Sequence, residues 1–120
     1  MQTDTRNRTA MQTDTRRFSS WFRTAADGPH DSVPISAVVQ VKIVGDLVSY
    51  PNGKSAMIWY GATRDLKQCV ADELPRLAAS RPDHVVCWRF LPTPAPEEEL
   101  AAVLGRFVRR FGSVPASGSV

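Results

Sequence analysis

Alternating apolar and polar side chains in the first half of the chain predict a β-hairpin. The first strand is a stretch in which every second side chain is apolar, the pattern of a half-buried strand. Two further strands are expected on either side of a turn at Asn52 and Gly53, because these residue types tolerate the positive φ angles of tight hairpin turns. That turn would place Val48 beside Met57. The three predicted strands are residues 35–43, 47–50 and 55–62.

Two stretches with apolar residues at helical spacing follow the hairpin. The first runs from residue 66 to residue 78, with Thr63 as the expected N-cap. A kink or a break is expected at Pro75, which cannot donate a backbone hydrogen bond. The second helix covers residues 97–111, with three glutamates in its first turn and three arginines in its last turn. Both charge groups are favourable for the helix dipole.

Between the helices, a short apolar run at residues 84–91 predicts a central strand that is covered on both faces. Arg89 inside this run requires a partner or a sheet edge. This strand is expected to pair parallel to a hairpin strand, which makes the sheet mixed. The element order therefore predicts an α+β fold: one small domain of hairpin, helix, strand and helix, in which two helices cover a small mixed sheet.

Composition predicts three regions along the chain. Residues 1–32 form a flexible basic arm with an aromatic cluster at 17–26, residues 33–115 form the compact domain, and residues 116–120 are a tail. Residues 1–16 contain the hexapeptide MQTDTR twice and are strongly polar. Such a stretch cannot bury enough apolar area to order itself, so disorder is expected.

Charge is concentrated at the N-terminus. Residues 1–26 hold five arginines and two aspartates, a net charge of +3, and residues 27–120 hold ten basic and ten acidic side chains. Apolar runs are too short to cross a bilayer and no apolar leader is present, so a cytoplasmic protein without membrane contact is expected. Cys69 and Cys87 lack neighbouring histidines and are expected to be buried core thiols. No metal and no cofactor are predicted.

The aromatic cluster differs from the polar arm around it. Phe18, Trp21 and Phe22 fall on one face of a helical turn, and Arg17 and Arg23 flank them. The cluster could pack on its own domain as a hydrophobic lid, dock a larger protein partner, or contact a membrane surface or nucleic acid. Aromatic residues and arginine dominate interface energies. The docking interpretation therefore predicts a small non-catalytic accessory or adaptor protein that binds a larger protein partner through residues 17–26.

Three short motifs in the middle of the chain resemble the GIY-YIG nuclease domain. They match its hairpin turn, its second aromatic motif and the start of its helix: Asn52-Gly53-Lys54, Trp59-Tyr60-Gly61 and Gly61-Ala62-Thr63-Arg64-Asp65-Leu66. The helix at 97–111 is similar to the acidic helix of the family, and the resemblance covers about residues 35–115. It implies metal-dependent phosphodiester cleavage, or binding of nucleic acid, at Trp59, Tyr60, Arg64 and Glu97.

The chain departs from that family at its chemical positions. The arginine that the family carries three residues after the helix leucine is Cys69 here, and the first motif lacks its tyrosine. With no catalytic residue assigned, a non-cleaving relative is expected, and a GIY-YIG-type nuclease or nucleic-acid binder is the alternative. Trp59, Tyr60 and Trp88 could stack bases, but basic residues are not interleaved along their strands beyond the single Arg89, which favours core packing.

Overall fold

The computed structural model describes residues 17–117 of the chain. The predicted disorder of residues 1–16 and the last three residues of the predicted tail lie outside this part. One 3-10 turn, Ala25–Asp27, precedes the sheet and helices. The strands and helices are, in chain order, β1 (Ala37–Ile43), β2 (Val48–Tyr50), β3 (Gly53–Ser55), β4 (Met57–Thr63), α1 (Leu66–Ser80), β5 (Val86–Pro92) and α2 (Pro96–Phe111).

Strand β1 is the centre of a three-stranded sheet with the order β4–β1–β5, and β2 and β3 form a separate hairpin. The alternation along β1 separates two cores. Val39 and Val41 point to the face covered by α1, and Val38 points to the face covered by α2. The predicted α+β domain of hairpin, helix, strand and helix, with two helices covering the sheet, is confirmed.

The pairing of β5 differs from the expectation. It was predicted to be a parallel, central strand, but it pairs antiparallel with β1 at the edge of the sheet. Helix α1 does return the chain so that β5 runs in the same direction as β4, because both strands are antiparallel to β1. Since β1 lies between them, β4 and β5 do not pair with each other, and the predicted parallel pairing is wrong.

The hairpin turn lies one residue earlier than predicted. Tyr50 pairs with Gly53, so the two loop residues are Pro51 and Asn52. The fixed φ of proline suits the first central position of a turn, which accounts for this placement. Val48 therefore pairs with Ser55 and not with the predicted Met57. The broader prediction, that residues 55–62 return antiparallel to part of residues 35–50, is confirmed.

The two helices are where the periodicity placed them, with one difference in capping. The N-cap of α1 is Asp65, whose carboxylate accepts a hydrogen bond from the backbone N–H of Gln68 at 3.2 Å. The predicted cap, Thr63, is wrong by two residues; its hydroxyl accepts from the Asp65 backbone N–H. Helix α1 continues through Pro75, and α2 ends before Gly112, whose φ of 86° is left-handed.

Candidate functional site

Residues 17–28, the N-terminal segment, cover the outer edge of β5. Phe22 and Trp88 exchange two backbone hydrogen bonds, of 2.8 and 2.9 Å, and the Ser19 N–H donates to the Phe90 carbonyl at 2.8 Å. An exposed strand edge carries unpaired backbone groups, and this pairing satisfies those of Trp88 and Phe90. The segment is extended where it pairs, so the helical turn predicted for its aromatic residues is wrong.

Phe22 lies on the α1 side of the sheet. Its ring centroid is 4.9 Å from that of Trp88 and 6.4 Å from that of Phe90. The Trp88 indole donates to the Thr24 carbonyl at 2.9 Å. A Cβ on Gly28 would come within 2.5 Å of the Trp88 ring, so only glycine fits where the segment crosses it. Phe22 therefore packs within its own domain, as the lid interpretation describes.

Phe18 and Trp21 lie against Arg89, whose side chain is on the α2 side of the sheet. The Arg89 guanidinium carbon is 4.6 Å from the Phe18 ring centroid and 4.4 Å from that of Trp21. The Lys42 ammonium is 4.3 Å from the Trp21 ring centroid. Burial lowers the pKa of Arg89. The sequence predicted that Arg89 needs a partner or a sheet edge, and it has both. Arg89 Nε donates to Gln40 Oε1 at 2.7 Å, and β5 is an edge strand of the sheet. We call Phe18, Trp21, Lys42 and Arg89 the basic–aromatic cluster.

A groove of about 320 Å³ lies beside this cluster, between the N-terminal segment and α2. The sheet contributes Gln40 and Tyr60, which are paired neighbours on β1 and β4. Phe18 lines the groove from the N-terminal segment, and α2 contributes apolar residues and two arginines. The α2 residues that line it are Val103, Arg106, Phe107, Arg110 and Phe111.

Two buried polar side chains line this groove. Gln40 is 4% exposed and Tyr60 is 5% exposed. Because Arg89 Nε can only donate, the carboxamide oxygen of Gln40 faces it, and the amino group of Gln40 makes no hydrogen bond within residues 17–117. The Tyr60 hydroxyl also lacks a hydrogen-bond partner among these residues. Burial raises the pKa of Tyr60 to about 12, so its hydroxyl remains a neutral donor at physiological pH.

The residues singled out by the GIY-YIG resemblance do not converge on one site. Trp59 is 2% exposed and packs in the core beneath α1, whereas Tyr60 packs against α2 on the opposite face. Trp88 shares the face of Trp59, so Tyr60 and these two tryptophans do not form one stacking surface. Arg64 and Glu97 are brought together at the surface, where Arg64 Nη2 lies 2.9 Å from Glu97 Oε1.

Cys69, which replaces the family's arginine, faces the core beneath α1. It lines a small void together with Trp59 and Glu73. Burial, and next the charge of Glu73, raise the pKa of the Cys69 thiol to about 11. Cys87 is buried in β5, and neither cysteine forms a disulfide.

A thiol with this pKa is expected to react slowly. The thiolate is the reactive form, so a pKa of about 11 in place of the ordinary 9.0 lowers the thiolate fraction at pH 8 about a hundredfold. Labelling of native protein with iodoacetamide at pH 8, with the modified peptide identified by mass spectrometry, should therefore be about a hundredfold slower at Cys69 than in the unfolded chain. The rate should rise as the pH approaches 11. Rapid native labelling at pH 8 would contradict this environment.

A larger cavity, of about 510 Å³, lies between residues 25–35 and the start of α1. Ile35, Leu66 and Val70 are among the apolar residues that line it. The charged side chains around it, Asp31, Asp65 and Lys67 among them, are exposed. It thus differs from the groove, into which buried polar groups are directed.

Within residues 17–117, no three or more histidine, cysteine, aspartate or glutamate side chains are grouped so that they could hold a metal ion. No helix in this part is long and apolar enough to cross a membrane. Comparison of the chain with protein-family models, with curated proteins and with solved structures found no match.

Apart from the apolar residues of α2, five residues of the cluster and groove were not identified as site residues from the sequence: Gln40, Lys42, Arg89, Arg106 and Arg110. Arg89 was noted only as a charge that needs a partner or a sheet edge. Two local patterns contain the relevant information. Gln40 and Lys42 occupy alternate positions of a strand, and therefore one face of the sheet. Arg106 and Arg110 are four residues apart, and therefore neighbours on a helix surface. Neither pattern indicates that the two surfaces meet.

Proposed function

We propose that the protein is a small non-catalytic accessory protein that binds a larger protein partner through its N-terminal segment. One observation carries the proposal: backbone pairing with β5 fixes the segment, and its two half-buried rings, Phe18 and Trp21, are held beside Arg89 and Lys42. Side chains already held in place lose little conformational entropy on binding. Aromatic residues and arginine are also the residue types that most often dominate binding energies.

The side chains of the segment have different roles in this proposal. Phe18 and Trp21 contact the partner, and exposed Arg17 and Arg23 extend the basic surface on either side. Phe22 acts indirectly, because its ring packs on Trp88 and holds the segment on the sheet. The partner-binding surface is thus the part of the segment on the α2 side of the sheet, whereas Phe22, on the α1 side, packs in the core.

Substitution of Trp21 by alanine is expected to weaken the complex by about 2 kcal/mol or more, about thirtyfold in Kd, as the loss of a central aromatic anchor does. The free protein should lose only about 1 kcal/mol of stability, from two cation–ring contacts. The partner is first captured with the wild-type chain from an extract of the source cell and purified. The Kd of each variant is then measured by calorimetry, and its stability by urea unfolding.

Two controls separate binding from folding. Phe22→Ala should lower stability more than Trp21→Ala does, because the Phe22 ring packs on Trp88 in the core. Charge reversal at Arg17 and Arg23 should slow association and flatten its salt dependence, through lost electrostatic steering. Equal affinity of wild type and Trp21→Ala for the purified partner would refute the proposal.

A nucleic-acid function of the GIY-YIG type is the second candidate. The contact between Arg64 and Glu97 supports it, because the resemblance places both residues in one site. A nuclease of this type would need a divalent metal ion and a carboxylate that binds it in order to cleave a phosphodiester. Incubation of the chain with DNA and RNA in Mg²⁺ or Mn²⁺ tests it: cleavage that is lost in Glu97→Gln would support a nuclease, intact nucleic acid that binds would leave only a binder, and nucleic acid that is neither cleaved nor bound would remove the candidate.

A further inference from the structure

We propose that the groove between the N-terminal segment and α2 binds an acidic, extended segment of the protein partner, one carboxylate of which enters the groove. This inference rests on the proposed function and specifies which partner chemistry the site would recognise. Its basis is a set of donors that have no acceptor among residues 17–117: the Gln40 amino group, the Tyr60 hydroxyl, and the guanidinium groups of Arg106 and Arg110.

The buried donors are the first argument. Removing a polar group from water without giving it a hydrogen bond destabilises the folded state, and buried polar groups in folded proteins are therefore nearly always paired. Gln40 and Tyr60 are both almost fully buried, and their donors have no acceptor among residues 17–117. Because both side chains line the same groove, one bound group with acceptor oxygens could satisfy both.

The charges around the groove define that group as an anion. Arg106 and Arg110 lie one helical turn apart, and neither forms an ion pair with any carboxylate in the described part of the chain. Arg89, beneath Phe18, bonds to the uncharged Gln40. Guanidinium groups bind carboxylates through short, charge-assisted hydrogen bonds, which are about twice as strong as neutral ones.

Two observations favour a peptide carboxylate over single-stranded nucleic acid. Binding of single strands relies on aromatic faces that are free to stack bases, but the rings of Phe18 and Trp21 already carry Arg89 and Lys42. The groove, about 320 Å³, is also at the lower end of the ligand-site range of about 300–1,000 Å³, which suits one or two side chains.

Fluorescence anisotropy with a labelled eight-residue peptide of alternating glutamate and leucine tests the inference on the full chain. The double variant Arg106→Gln/Arg110→Gln should weaken binding more than about tenfold, and Tyr60→Phe about five- to tenfold, as expected for lost hydrogen bonds to a charged group. Arg109→Gln is the matched control, because Arg109 occupies the same helical turn but does not line the groove. It should leave the affinity unchanged, and a peptide of alternating glutamine and leucine should not bind.

Three results would overturn the inference: no binding of the acidic peptide, equal affinity of the double variant and wild type, or tighter binding of an eight-residue oligothymidylate that the same arginine substitutions abolish. If Tyr60→Phe fails to fold, the double arginine variant, which changes exposed side chains, still decides the question. The proposed function is tested separately. A purified partner whose affinity falls in Trp21→Ala but not in Arg106→Gln/Arg110→Gln would retain the function and reject the acidic segment.

Discussion

Replacement of Trp88 by alanine is expected to lower the free energy of unfolding by about 3–5 kcal/mol, the range for large buried aromatic residues. The Trp88 ring is 2% exposed and packs against the rings of Phe22 and Phe90. Its indole also donates to the Thr24 carbonyl, so the substitution removes both a core side chain and a contact that holds the N-terminal segment. Urea unfolding followed by circular dichroism measures the change.

A conservative variant tests the two contributions separately. Trp88→Phe keeps a ring in the core but cannot donate to Thr24, so its loss of stability should be smaller than that of the alanine variant. Ser20→Ala, at an exposed position of the same segment, serves as a control and should change stability by less than about 0.5 kcal/mol. A loss below about 1 kcal/mol for Trp88→Ala would contradict the packing described for this ring.

Substitution of Gly61 by alanine is expected to cost about 2–3 kcal/mol, because it adds a methyl group to a filled core. A Cβ at this position would lie 2.2 Å from the end of the Trp59 ring, and that ring is enclosed beneath α1. Gly61 belongs to a stretch that resembles a nuclease motif, but in this fold a glycine is required there because the Trp59 ring occupies the space of a Cβ. The measurement is again the free energy of unfolding.

Gly105 in α2 provides the matched comparison. A Cβ there would meet only Arg109 Nη1 at 3.5 Å, an ordinary contact with a flexible side chain. Because alanine is favoured over glycine in a helix interior by about 1 kcal/mol, Gly105→Ala should raise stability. Equal stability of Gly61→Ala and Gly105→Ala would contradict a clash between the added methyl group and the Trp59 ring.

The elements that could be predicted from the sequence are those with a strong local pattern. The alternation at β1 and the charged ends and apolar stripe of α2 each specify one structure, and both elements were predicted within about two residues. The pairing of β5 could not be deduced in this way. A short apolar run indicates a buried strand but not its neighbours, and burial of β5 is completed by the N-terminal segment at its outer edge.

The aromatic spacing of the N-terminal segment was compatible with two structures. Phe18, Trp21 and Phe22 would share a face of a helical turn, yet in an extended segment they lie against opposite faces of the sheet. The extended structure forms because its backbone N–H and C=O groups can pair with the edge of β5, whereas those of a helix are already used within the helix. The groove could not be predicted from local sequence patterns either. Gln40 and Tyr60 are far apart in the chain and become neighbours only through the register in which β1 pairs with β4.

The pairing of the N-terminal segment with β5 also bears on the order in which the molecule folds. The hydrogen bonds from Trp88 to Thr24 and from Phe90 to Ser19 join residues 64 and 71 positions apart. Contacts of such sequence separation form slowly, because a long loop must close before they add any stability. The segment is accordingly expected to join a sheet that already exists. In the native state, its release would open the amide of Trp88 to hydrogen exchange while the pairing of β1 with its two neighbours persists.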